Sequence, residues 1–152
     1  MTKTVFVLNG PNLNLLGVRE PEIYGTTTLD DVEAMCRERA GDLGVGIDFR
    51  QTNSETAMVE WIQEAYVSKA AGIVINPAGH SFHSIPVLDA LRIFRWPIVE
   101  LHISNIHARD TLHQHSIMSS VATAVIAGMG VHGYILALDG MAALIHHGQT
   151  ST

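Results

Sequence analysis

Glu100 and His102 stand two residues apart in the run Glu100-Leu101-His102-Ile103-Ser104-Asn105. Alternate residues of a strand face the same side. A carboxylate two positions before an imidazole can orient it and offset its charge, as a catalytic acid or base requires. The same spacing also suits a surface Glu beside a strand-end His. The Ile103-Ser104-Asn105 turn offers backbone N–H groups and a hydroxyl to a carboxylate. Two other runs are as polar, Asn9-Gly10-Pro11-Asn12-Leu13-Asn14 and Asn76-Pro77-Ala78-Gly79-His80. A further run, Arg19-Glu20-Pro21-Glu22-Ile23-Tyr24-Gly25, falls in a long loop of the kind that often covers a site. An Arg near a Tyr hydroxyl favours the phenolate. That would make Tyr24 a base, against the plainer reading of two surface residues.

The chain has nine histidines, as many as its lysines and arginines together. Metal is the first chemistry such a count suggests. The spacings His80-x-x-His83, His113-x-His115 and His146-His147 do not join a cysteine or an H-E-x-x-H helix, so no metal site is expected. Gly128-Met129-Gly130 lacks the strand-turn-helix setting of a dinucleotide fingerprint. No P-loop and no G-x-S-x-G is present, and no cofactor is expected. A formal charge of −6 gives no basic footprint for nucleic acid. The single Cys36 excludes an intramolecular disulfide. At 152 residues and 47% hydrophobic content, the chain is expected to form one domain, residues 1–152, with a buried core and a frayed tail. The first ten residues do not read as a signal peptide, and no apolar run reaches membrane-spanning length. A cytoplasmic protein without membrane or nucleic-acid partners is the expectation.

These polar runs must be held by strands and helices that alternate. Strands are expected at Thr4–Leu8, Val45–Arg50, Gly72–Asn76, Pro97–Leu101 and Gly133–Leu138. Helices are expected at Leu29–Leu43, Thr56–Ala70, Ile85–Phe94, Ile117–Ile126 and Met141–His147. Short apolar strands separated by helices imply an α/β fold, a five-stranded parallel sheet covered on both faces. Five strands favour the flavodoxin-like order 2-1-3-4-5. Ligands in such sheets bind beyond the carboxyl ends of the strands. That order sets strands one, three and four side by side, so Asn12, Asn76 and His102 should converge.

The runs Asn9–Gly17 and Arg19–Gly25, together with His102–Arg109 and Gly128–Tyr134, resemble the signature of type II 3-dehydroquinate dehydratases, in order and over roughly residues 4–138. The resemblance implies a flavodoxin-like three-layer sandwich that assembles as a homo-dodecamer, a tetramer of trimers, without a metal or a Schiff base. It implies anti elimination of water from 3-dehydroquinate, a cyclic carboxylic acid, through an enolate to 3-dehydroshikimate. Tyr24 would take the proton beside the ketone, with Arg19 keeping its phenol ionised. Asn12 would help stabilise the enolate. His102 would protonate the departing hydroxyl, oriented by Glu100. Asn76, Ile103 and Ser104 would hold the carboxylate, and Asp89 would reach a neighbouring subunit's site. The pathway is either the biosynthetic shikimate route to aromatic amino acids or quinate catabolism.

The departures from that signature cluster. Phe82 stands where the family has a substrate-binding His, and His113 replaces a substrate-binding Arg. Leu88 replaces the usual Arg before Asp89. His80, His83 and His113 are the residues available to make up the lost recognition. Three readings follow. One is a dehydroquinase with local repacking, another a dehydratase of a related cyclic hydroxy-keto acid. The third is a small-acid-binding pseudoenzyme, which the retained Tyr24, Arg19 and His102 disfavour. A flavin-binding electron carrier has only the expected fold in its favour.

Overall fold

The computed structural model describes residues 2–18 and 20–150; at Ile23, Tyr24, Gln149 and Thr150 it describes the backbone alone. Five strands, β1 (Thr4–Asn9), β2 (Gly46–Gln51), β3 (Gly72–Asn76), β4 (Ile98–His102) and β5 (Ala124–Ala127), form one sheet in the order β2-β1-β3-β4-β5. Every pairing is parallel. This is the flavodoxin-like arrangement the alternation of elements implies.

Strand alternation sends side chains to two cores. Phe6, Leu8, Ile73, Ile75 and Ile98 pack against α3 (Glu55–Val67) and α4 (Ile85–Ile93) on one face. Val5, Val7, Val74, Val99 and Leu101 pack against α2 (Leu29–Leu43) and α5 (His132–Thr150) on the other. A four-residue helix, α1 (Pro21–Tyr24), lies in the long loop after β1 and starts on a proline, which the first helical turn accepts without loss. Helix starts are encoded locally. Thr28 and Asp31 form a reciprocal capping box on α2. Ser84 caps α4 through Val87 N–H and donates to Glu55 Oε2 at 2.6 Å, which ties the starts of α3 and α4 together.

Two expectations fail. Residues 133–138 are not a strand; they lie within α5, where Tyr134, Ala137, Leu138 and Met141 are buried at helical spacing. The expected helix 117–126 is instead a 3-10 turn at Ile117–Ser120 followed by β5, an edge strand. The expected helix 141–147 is the continuation of α5. The sheet order survives because β5 moves earlier in the chain while keeping its place beside β4.

Candidate active site

The carboxyl ends of β1, β3 and β4 open into a cleft of about 250 Å³. Asn12, Asn76, His102, Ile103 and Ser104 all line it, as the strand order requires. Its far wall is made by Phe82, His83, Arg109 and His113. Among the described lining residues none is acidic, whereas Arg109 and three imidazoles are present. Such a lining favours an anion.

Close approach of the loops after β1 and β3 brings Asn12 and Asn76 into the same cleft. Gly10 donates from its backbone to Asn76 O at 2.9 Å. A Cβ there would lie 2.4 Å from Pro77 O, so only glycine permits the contact. Asn12 takes a left-handed conformation, φ 71°, that suits asparagine. Its N–H donates to Asn53 Oδ1 at 2.9 Å, and Gln51 Nε2 donates to Gly10 O at 3.2 Å. The loop bearing Asn12 is thus braced from the end of β2.

Glu100 and His102 do share a face of β4. Glu100 is fully buried, and His102 is 4% exposed above it at the cleft floor. His102 Nε2 faces Glu100 Oε2 in a hydrogen bond. A carboxylate only accepts, so Nε2 carries the hydrogen and Nδ1 is the nitrogen left for a ligand. Ser119 donates to Glu100 Oε1 at 2.7 Å, and Ser116 contributes a further hydrogen bond. Burial pushes the Glu100 carboxyl up, but its bonds to His102, Ser116 and Ser119 outweigh burial and hold it below the ordinary carboxylate value. Glu100 is therefore an ionised group beneath the imidazole. Ser119 belongs to the 3-10 segment that sequence periodicity reads as helix, and Ser116 caps that segment, which hid their role.

Asn76 is oriented from behind. Its Nδ2 donates to the buried Tyr134 hydroxyl at 3.0 Å, and its Oδ1 accepts from Ala78 N–H at 3.3 Å. The Tyr134 hydroxyl donates to Asn9 Oδ1 at 2.6 Å. Asn9, one residue beyond the expected strand Thr4–Leu8, is the fully buried last residue of β1. The β5–α5 turn steadies the end of β4: Gly128 and Gly130 donate backbone bonds to His102 O and Ile103 O at 3.3 and 3.0 Å.

On the far wall the Phe82 ring meets His113 edge-on, with centroids 5.0 Å apart. His113 Nδ1 lies 2.7 Å from Asp110 Oδ1, and that hydrogen bond holds Asp110 below its ordinary value. His80 does not line the cleft. It is 9% exposed, its Nδ1 is buried without a described partner, and burial pushes its pKa down, with Glu55 opposing and His83 adding. Asp89 also stands outside the cleft, exposed on α4 with Arg92 at 3.8 Å. Arg19 and the side chain of Tyr24 lie outside the described residues; the backbone of Tyr24 ends α1. Among the described residues no group of three or more His, Cys, Asp or Glu could hold a metal, and no helix is long and apolar enough to cross a membrane.

Comparison with known proteins agrees with this geometry. The family model described as dehydroquinase class II matches residues 3–142. A 3-dehydroquinate dehydratase of Brucella canis is 57% identical over 144 residues, covering 95% of this chain and 91% of the relative. The crystal structure of a type II dehydroquinase from Propionibacterium acnes superposes with a TM-score of 0.91 at 48% identity, covering 94% of this chain and 98% of that one. A type II dehydroquinase from Butyrivibrio crossotus gives 0.90 at 36% identity, covering 92% and 97%. The chain belongs to the class II dehydroquinase family.

Proposed function

We propose that the protein removes water from 3-dehydroquinate to give 3-dehydroshikimate, by anti elimination through an enolate. The observation that carries this reading is the cleft itself: a histidine backed by an ionised, buried glutamate faces two asparagines at adjacent strand ends. In the proposed mechanism the Tyr24 phenolate, kept ionised by Arg19, removes the proton beside the ketone. Asn12 stabilises the enolate oxygen. His102 Nδ1 gives its proton to the departing hydroxyl, while Glu100 fixes the ring and offsets the imidazolium charge. Asn76, the Ile103 backbone and Ser104 hold the carboxylate. Support comes from the positions of Asn12, Asn76, His102, Ile103 and Ser104 around one cleft and from its lack of described acidic lining. Replacing Tyr24 by Phe should abolish enone formation while the fold persists. Activity of that variant within a few fold of wild type would remove the base assignment.

One observation favours a second reading. Phe82 and His113 stand where the family has substrate-binding His and Arg, and here they contact each other. A related cyclic hydroxy-keto acid, lacking or rearranging the distal hydroxyls, would suit that wall. The paired change Phe82→His with His113→Arg separates the two. Dehydroquinate as the true substrate implies a gain below about tenfold, since His113 still offers a donor; a larger gain transfers preference to the related acid.

We also propose a single domain acting in the cytoplasm as a homo-oligomer, trimers assembled to a dodecamer, in which the exposed Asp89 serves a neighbouring cleft. Sedimentation mass tests this, and a monomer of 16.5 kDa at working concentration would contradict it.

A further inference from the structure

Two amides at the cleft end of β1 and β3 are each locked by a backbone group whose polarity cannot change. Arg50 O can only accept, and it takes Asn9 Nδ2 at 3.0 Å. Asn9 must therefore turn its oxygen toward α5. Ala78 N–H can only donate, and it meets Asn76 Oδ1 at 3.3 Å. Asn76 must therefore turn its Nδ2 the same way. Between them sits one group, the Tyr134 hydroxyl, 2.6 Å from Asn9 Oδ1 and 3.0 Å from Asn76 Nδ2. A hydroxyl with one hydrogen and free lone pairs satisfies both at once. Its hydrogen is committed to Asn9, so it can only accept from Asn76.

We infer that Tyr134 is a positioning residue for substrate binding: through Asn9 it fixes the Asn76 amide so that the second Nδ2 hydrogen points to the substrate carboxylate. The inference rests on the proposed role of Asn76 in holding that carboxylate. Tyr134 touches no ligand itself; it is 1% exposed and acts from the far side of the sheet's end. If the amide turned over, its oxygen would face an anion and its nitrogen would meet the Ala78 N–H. Without the hydroxyl, only the longer Ala78 bond would resist that turn.

The test is a double-mutant cycle read by product binding, so that chemistry does not enter. 3-Dehydroshikimate, which keeps the carboxylate, is titrated as inhibitor against wild type, Tyr134→Phe, Asn76→Ala and the double variant. Tyr134→Phe should weaken inhibition about 5- to 150-fold, the range for leaving a buried polar group unpaired. The effect on kcat should stay within about threefold, because the reacting groups are untouched. In the Asn76→Ala background the same change should alter inhibition by less than about twofold, since coupled residues are not additive. Equal losses in both backgrounds would show a merely structural role and overturn the inference. An unchanged inhibition constant for Tyr134→Phe would do the same. If Tyr134→Phe does not fold, Asn9→Ala removes the acceptor while keeping the ring, and the same cycle and outcomes apply. A wild-type protein that neither turns over 3-dehydroquinate nor binds the product instead defeats the function proposed above and takes this inference with it.

Discussion

Glu100→Gln is the perturbation that isolates charge from shape. The side chains have nearly the same volume, and Glu100 is fully buried, so the exchange leaves the cleft lining unaltered. The amide can turn its oxygen to the His102 Nε2–H and its NH2 to the Ser119 and Ser116 hydroxyls, which can rotate to accept. What is lost is the negative charge. A hydrogen bond to a charged group contributes about 1.5–3 kcal/mol and a neutral one about 0.5–1.5 kcal/mol. The bond to His102 therefore weakens by about 1–1.5 kcal/mol. If that difference is felt when His102 carries its second proton, kcat falls about five- to thirteenfold. KM should hold, because Glu100 does not line the cleft. Stability should change little, since the weakened bonds are offset by no longer burying a charge. Glu100→Ala should behave differently. It strands the His102 N–H and two hydroxyls, each at about 1–3 kcal/mol, and lowers both Tm and kcat. The assay is enone absorbance over a range of substrate concentrations, with thermal melts on the same samples. A Glu100→Gln enzyme with kcat within twofold of wild type would refute the view that the buried charge serves the acid. A change in KM alone would refute it too.

Other outcomes follow from the packing. Gly10→Ala pushes a methyl to within 2.4 Å of Pro77 O; overpacking of about 1–3 kcal/mol should lower Tm by about 2–12 °C, and KM should rise as Asn12 parts from Asn76. The Cys36 thiol is fully buried, and burial, helped by Glu33 and opposed by Arg37, pushes it up to about 12; a maleimide should label it only after unfolding, and rapid labelling of the native protein would contradict its placement. Glu100 is held below its ordinary value, so its contribution to stability is full above about pH 4.5 and is lost as pH falls through its folded value. Tm should therefore be level down to about pH 5 and decline below, and the decline should be shallower in Glu100→Gln.

The first four strands and the three longer helices between them, α2, α3 and α4, were legible because each carries its own period and stop, whereas the four-residue α1 is too short to show one. Leu29–Leu43 has apolar residues at helical spacing, ends at Gly44 and appears with those bounds. Gly72–Asn76 is apolar up to the polar Asn76 at its end and stops at Pro77, as a strand buried on both faces should. The last third misled for physical reasons. Residues 133–138 look like a strand because the apolar run is short and Asp139-Gly140 reads as a break, yet the buried set continues across it to Met141. The β5 strand is short, at the sheet edge and partly exposed, so it lacks the dense apolar signal of a central strand. The site divided along the same line. Asn12, Asn76, His102, Ile103 and Ser104 could be grouped because strand order alone brings their ends together. The supports could not: Ser119 and Tyr134 reach Glu100 and Asn76 across 19 and 58 positions, on elements whose type was misread. His80 shows the converse. Its place in a polar strand end suggested the cleft, but the 3-10 turn Ala78–Phe82 carries it inward.

Dehydration of 3-dehydroquinate in this cleft can be observed as it happens. Adding that acid to the purified protein and following absorbance of the conjugated enone tests it directly. The expected result is a rise that saturates with substrate, vanishes in Tyr24→Phe and falls sharply in His102→Ala. Binding of the acid with no enone formed would contradict it, and would leave a carboxylate-binding protein in place of an enzyme.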